Sequence, residues 1–198
     1  PDQLVYAPAD RMGIQRARVD TAYSGVTMDR SVFVTPEYTA DLFGAFGSVP
    51  RKLDLAWHPV GTLDSISLEM ADYEFPAPVE RGYNQLSDVR SGRTGDAYTV
   101  SVTNSVTPLR LLAANGDETE VIVGKGHLGM DRPPTILQRR QVNQTVYANV
   151  FDYSGEETVR AITSSGSLRD GYALAEIATA DGVDMCFASY APGVHTDG

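Results

Sequence analysis

Counting by twos along "LDLAWHPVGTL" (residues 53–63) separates Leu53, Leu55 and Trp57 from Asp54, Ala56 and His58. This is the alternation of a half-buried strand, whose successive side chains point to opposite faces. It turns Trp57 toward a core and His58 toward water or a cleft. "RSVFVTP", "AYTVSVTNSV" and "TVYANVFDY" carry the same alternation or β-branched enrichment and predict further strands. "PEYTADLFGAFG" can be read at helical spacing, but Thr39, two glycines and the preceding Thr-Pro turn favour a strand.

Turn signals separate these runs. Asn115-Gly116 stands between two strand-like arms in "LLAANGDETEVIV", and Asp181-Gly182 does the same in "YALAEIATADGVDMCFASY". Both pairs supply the positive φ of a tight turn, so each predicts a hairpin. Pro and Gly clusters at "EFPAPVERGYN", "RSGRTGD" and "GKGHLGMDRPP" predict long loops, the first being the best placed for function. No repeat or heptad interrupts the pattern. The expected fold is all-β, an antiparallel multi-stranded sandwich with little helix, forming a single domain over residues 1–198.

Charge removes some functions. The 198-residue chain has a formal net charge of -10 and no apolar stretch near the roughly 18 residues of a membrane span. Nucleic acid and membrane are therefore not expected partners, since phosphate binding is driven by clustered cations. Fourteen of the sixteen cations are Arg, whose planar fork suits carboxylate and sulfate groups as well as ordinary ion pairs. The single Cys186, in an apolar run, reads as a core residue. A start at Pro1, with no leader, reads as a processed product or a fragment.

His58, His127 and His195 are too far apart in sequence for a local metal motif. The last two read as solvated loop residues. No nucleophile elbow, phosphate loop or dinucleotide fingerprint is present, and no metal or cofactor is expected. Glu156-Glu157 and Asp117-Glu118 stand at turns and read as solvated charges rather than as a glycosidase pair.

Several stretches taken in order resemble the C-terminal β-sandwich region of the heparinase II/III-like polysaccharide lyases, the group that includes oligoalginate lyases. "YSGVTMDRSVFVTPEYTADLFGAFG" is similar to a segment in which an Arg opens a strand and a second strand carries an Asp-x-Phe pattern, here Arg30, Val32, Val34, Asp41 and Phe43. "LDLAWHPVGTL" places His58 on the family histidine, with Gly61 and Leu63 on their counterparts. "GYNQLSDVR" and "PPTILQRRQVNQTVYANVFDY" resemble two later segments. The large helical toroid with which these enzymes begin, and an earlier β segment bearing His-x-His, have no counterpart here.

The resemblance implies β-elimination on a uronate-containing glycan, by an enzyme working in the periplasm or outside the cell. The C5 proton beside a carboxylate is only weakly acidic, because its removal builds a second negative charge next to the first. Groups that neutralise the carboxylate lower that barrier. On the resemblance, His58 is such a group and Tyr83 a contributor to acid–base work, in a site completed by the enzyme's N-terminal helical domain. Arg51, Arg81 and Arg90 are candidates to hold the anionic substrate. Core packing is the first expectation for Trp57; stacking on a sugar face would require a bulge. Two other readings stay open. One is a non-catalytic carbohydrate-binding sandwich using exposed Tyr73, Tyr83 or Tyr153 as a platform, and the other a purely structural β module.

Overall fold

A computed structural model describes residues 2–104, 106–126 and 132–190. Its strands are β1 (Asp2–Ala7), β2 (Gly13–Tyr23), β3 (Val26–Val34), β4 (Tyr38–Trp57), β5 (Thr62–Ile66), β6 (Ala71–Asp72), β7 (Ser87–Thr94), β8 (Tyr98–Thr103), β9 (Leu109–Ala113), β10 (Thr119–Lys125), β11 (Pro134–Asp152), β12 (Val159–Ser167), β13 (Tyr172–Thr179) and β14 (Val183–Ser189). One short 3₁₀ turn, Tyr83–Gln85, is the helical content of the described residues, none of which forms a helix long and apolar enough to cross a membrane. The all-β antiparallel expectation holds. Eleven strands form one sheet, ordered β1-β2-β3-β4-β11-β10-β7-β6 with β9, β8 and β5 branching from β11, and β12-β13-β14 form a second.

The long strands β4 and β11 organise both cores. They pair antiparallel from Tyr38↔Asp152 to Trp57↔Ile136, with a register shift between Val142 and Gln144. Near that bulge β11 folds back on itself. Gln138 and Asn149 are eleven residues apart on this strand, a separation that would be about 36 Å if it were straight. Their side chains nevertheless exchange hydrogen bonds: Gln138 Nε2 donates to Asn149 Oδ1 at 2.8 Å, and Asn149 Nδ2 donates to Gln138 Oε1 at 3.0 Å. A bulge is the usual device for such a bend.

One face of the bent sheet packs Ala40, Leu42, Ala148 and Val150 against Ile162, Ala175, Ile177 and Cys186 of the three-stranded sheet. The other face closes around a second core of Val100, Leu111, Val121, Val123 and Ile136. Cys186 is fully buried, as its apolar run predicts.

Two turn readings need correction. Asn115 and Gly116 do not close a hairpin: neither has positive φ, and the strands on either side run on in the same direction along β11. β9 pairs with Asn149–Asp152, and β10 sets Glu120–Lys125 opposite Pro134–Arg139, so residues 114–118 bridge the bend by a shorter path than residues 140–148 of β11. "RSGRTGD" is mostly strand β7, where Gly92 serves close packing: a Cβ there would lie 2.5 Å from the Glu69 carbonyl oxygen. The Asp181-Gly182 hairpin forms as expected, with Gly182 at φ +150° and Ala178 opposite Val183.

Candidate functional site

β3 stops pairing with β4 at Val26↔Gly47, and beyond the register shift residues 51–57 of β4 are paired on one side only, to β11. Against this free edge lies a cavity of about 540 Å³. Its apolar wall includes Met28, Phe43, Leu55 and Tyr147, and its polar rim is Arg51, Lys52, Asp54, Glu80 and Tyr83. The "EFPAPVERGYN" loop supplies the last two residues of the rim. An apolar pocket with a few convergent polar groups is what a small ligand needs.

Strand alternation builds the polar centre. Asp54 and Arg139 are register partners across β4 and β11, Arg139 also faces Glu120 on β10, and Glu120 faces Arg93 on β7. Charges therefore alternate in one row across four strands. The Asp54 carboxylate accepts from Arg139 Nε and Nη2, both at 2.8 Å, in a bidentate fork. This contact holds the Arg139 guanidinium more firmly protonated than usual. Glu120 lies 3.7 Å from Arg139 and 3.3 Å from Arg93.

Tyr83 sits on this row. Its hydroxyl donates a short hydrogen bond to Asp54 Oδ2, and its ring stacks on Phe75 with centroids 4.9 Å apart and planes 8° from parallel. Arg139 Cζ lies 5.3 Å from the Tyr83 centroid, and Lys52 Nζ, which is ion-paired with Glu80, lies 5.5 Å from it. Burial first, and the bond to Asp54 second, push the phenol up to about 12. At neutral pH it is a proton donor.

The structure brings only two of the expected site residues to this cavity, Tyr83 and Arg51; Arg51 Nη1 also ties the strand to the β2–β3 turn through the Ser24 carbonyl at 2.9 Å. His58 is exposed at the end of β4, with Nδ1 3.1 Å from Thr135 Oγ1. It shares the face of Asp54, about 13 Å further along the strand. Trp57 faces the second core, 4.6 Å from the Phe151 centroid, with Arg30 over its other side at 5.0 Å. Arg81 is exposed beside Gly82, and Arg90 lines a different cavity. His127 and His195 lie outside the described residues.

The exposed tyrosine platform is not formed. Tyr73, Tyr83 and Tyr153 are all half-buried, and Tyr153 is tied elsewhere, its hydroxyl donating to the Thr35 carbonyl at 2.6 Å. Two residues of the family-like segment do meet: Arg30 Nε donates to Asp41 Oδ1 at 2.6 Å. Burial raises the Asp41 carboxyl, with Arg30 opposing the shift. Sequence reasoning missed Lys52, Asp54 and Arg139. Asp54 was legible as the His58-side neighbour in "LDLAWHPVGTL", but its pairing with a residue 85 positions away was not. Among the described residues no group of three or more His, Cys, Asp or Glu side chains is placed to hold a metal ion.

No family model and no curated protein sequence matches the chain. Solved structures do. The heparan sulfate lyase HepC from Pedobacter heparinus superposes with a TM-score of 0.59 at 12% identity, over 98% of this chain and 28% of that enzyme. A heparinase III, the BT4657 gene product, superposes with a TM-score of 0.56 at 11% identity, over 95% of this chain and 27% of its own length. The chain thus has a heparinase-like β-sandwich fold and spans little more than a quarter of the enzymes it resembles.

Proposed function

We propose that this chain is the β-sandwich portion of a polysaccharide lyase that cleaves a uronate-containing glycan by β-elimination. The observation that carries the reading is the Tyr83 cavity, a neutral phenol held between Asp54, Lys52 and Arg139 beside an apolar wall, on a sheet folded as in heparan sulfate lyases. In the reaction a base removes the C5 proton, the C4–oxygen bond breaks, a C4–C5 double bond forms and the departing oxygen is protonated. Tyr83 supplies that last proton. Its raised pKa keeps it protonated at neutral pH, the form from which a proton can be given.

Arg51 and Lys52 draw the polyanion to the rim, and His58, four residues further along the same face as Asp54, donates to the carboxylate of a sugar lying along β4. Arg81 extends the cationic surface beyond the cavity, Arg90 stands at a separate cavity, and Trp57 acts by packing in the second core. The residue that takes the C5 proton comes from a helical domain of the same enzyme, so this portion alone binds without cutting. Such polymers are met in the periplasm or outside the cell.

The test is binding of uronate oligosaccharides from alginate and from heparan sulfate to the isolated chain, followed by calorimetry, with unsaturated-uronate absorbance monitored in parallel. Saturable binding that weakens in Arg51→Gln and Lys52→Met, with no absorbance, supports the proposal. Equal affinity for neutral oligosaccharides, or cleavage by the chain alone, overturns it.

A further inference from the structure

A second cavity, about 370 Å³, opens at the end of the second core, between the start of β5 and the β7–β10 pair. Leu63 and Val123 form its apolar floor, and Arg90, Lys125, Arg132 and Asp88 stand around it. Three cations to one anion is the reverse of the whole chain, which has 26 acids to 16 bases. Lys125 Nζ pairs with Asp88 at 2.7 Å. Arg90 and Arg132 are exposed and form no ion pair or side-chain hydrogen bond among the described residues, although Asp72 stands across the strand pair from Arg90 and Asp64 lines a neighbouring cavity with it.

The backbone is shaped around this mouth. Asp88 has φ +52° and Arg132 φ +37°, two of the three non-glycine residues with positive φ among those described. The β7–β10 ladder shifts register between Val123 and Lys125, so a bulge sets Asp88 and Lys125 at the rim. Bulges that re-aim side chains, and residues held in the left-handed region against their preference, concentrate at binding sites. Two guanidinium groups that form no ion pair or side-chain hydrogen bond among the described residues, with Asp88 near Arg132 and Asp72 across from Arg90, stand over an apolar floor and match the planar, multidentate acceptor geometry of an oxyanion.

We infer that this mouth is an oxyanion-binding site that takes a sulfate or carboxylate group through Arg90 and Arg132, with Lys125 held in reserve by Asp88. Its residues are distinct from those of the Tyr83 cavity. That the group belongs to a glycan rests on the lyase reading; the site itself does not.

The experiment is a sulfate titration of the ¹⁵N-labelled chain at constant ionic strength, followed at the Arg90 and Arg132 Nε–H signals and the Lys125 amide. Saturable shifts are expected, with roughly tenfold weaker binding in Arg90→Gln/Arg132→Gln, whose exposed positions leave the fold and Tm unchanged. A sulfated uronate oligosaccharide is expected to bind the native chain more tightly than its desulfated counterpart, and the difference to vanish in that double variant. Linear, non-saturating shifts, or shifts that survive the double variant, overturn the inference. If sulfate saturates the mouth while no acidic oligosaccharide binds, the oxyanion site stands and the glycan reading falls. If oligosaccharide binds through Arg51 and Lys52 while the mouth stays silent, the glycan reading stands and this inference falls.

Discussion

Asp54 and Arg139 face each other in register, eighty-five residues apart, joined by two hydrogen bonds of 2.8 Å with each side chain only 11% exposed. A pair this sheltered is poorly screened by salt, and losing one member strands the other. Arg139→Met leaves Asp54 without its counter-charge, while Glu120 keeps Arg93 at 3.3 Å, and should cost about 3–5 kcal/mol. Asp54→Asn should cost less, because Glu120 still faces Arg139. The double variant should recover part of the single-variant losses, a coupling read from urea midpoints in a double-mutant cycle. Additive losses would mean that the pair does not act as a unit.

Trp57 and His58 are neighbours with opposite fates, and alternation predicts the contrast in stability. Trp57→Ala removes a ring packed on Phe151 and beneath Arg30, and should cost about 3–5 kcal/mol. His58→Ala loses one partly buried hydrogen bond to Thr135 and should cost about 1 kcal/mol. Thermal unfolding of the two variants compares them directly. Similar losses would place both side chains in the core.

That contrast also shows what was legible. Period-two alternation marks which face each residue of a strand occupies, so the strand runs, the burial of Cys186 and the exposure of His58 could be read locally. The partner strand could not. Asn115-Gly116 has hairpin chemistry, but Leu109–Ala113 and Thr119–Lys125 both find longer partners on β11, and tertiary pairing overrides the turn preference. Lys52, Asp54 and Tyr83 come together only because β4 has a free edge beyond Gly47 and a long loop returns over it, a relation absent from any window of sequence.

Gly92 reads as a loop glycine and acts as a packing one. A Cβ there would stand 2.5 Å from the Glu69 carbonyl oxygen and 2.9 Å from Met70 Sδ. The carbonyl cannot yield without moving the chain that leads into β6, so Gly92→Ala should cost about 1–3 kcal/mol. Gly95→Ala is the control, since its Cβ would meet only the Gly116 carbonyl oxygen at an ordinary 3.6 Å. Chain entropy favours Ala at both positions, so a urea series in which both variants lose equally would show that the β6 contact is not the cause.

Alkaline pH should unfold this protein cooperatively, because several phenols and a thiol are held in its interior as the protonated form. Burial pushes Tyr83 and Tyr98 up to about 12, and drives Tyr38, Tyr147 and Tyr190 upward as well; the Cys186 thiol also rises to about 12. Above the unfolded values, near pH 9 for the thiol and 10 for the phenols, the unfolded chain has released protons that the native chain still holds. Stability is therefore fully present below about pH 9 and falls as pH rises toward 12, by about 1.4 kcal/mol per pH unit for each such group. Several phenols acting together should place the unfolding midpoint between about pH 10 and 12, with tyrosinate absorbance and circular dichroism changing in one step. Tyr190→Phe tests the cause, since the Tyr190 hydroxyl is buried without a hydrogen-bond partner among the described residues. That variant should be at least as stable as the native chain at pH 7 and should unfold at a higher pH. If the tyrosines instead titrate together near pH 10 with circular dichroism unchanged, their hydroxyls are open to water and the two cores are not closed as described.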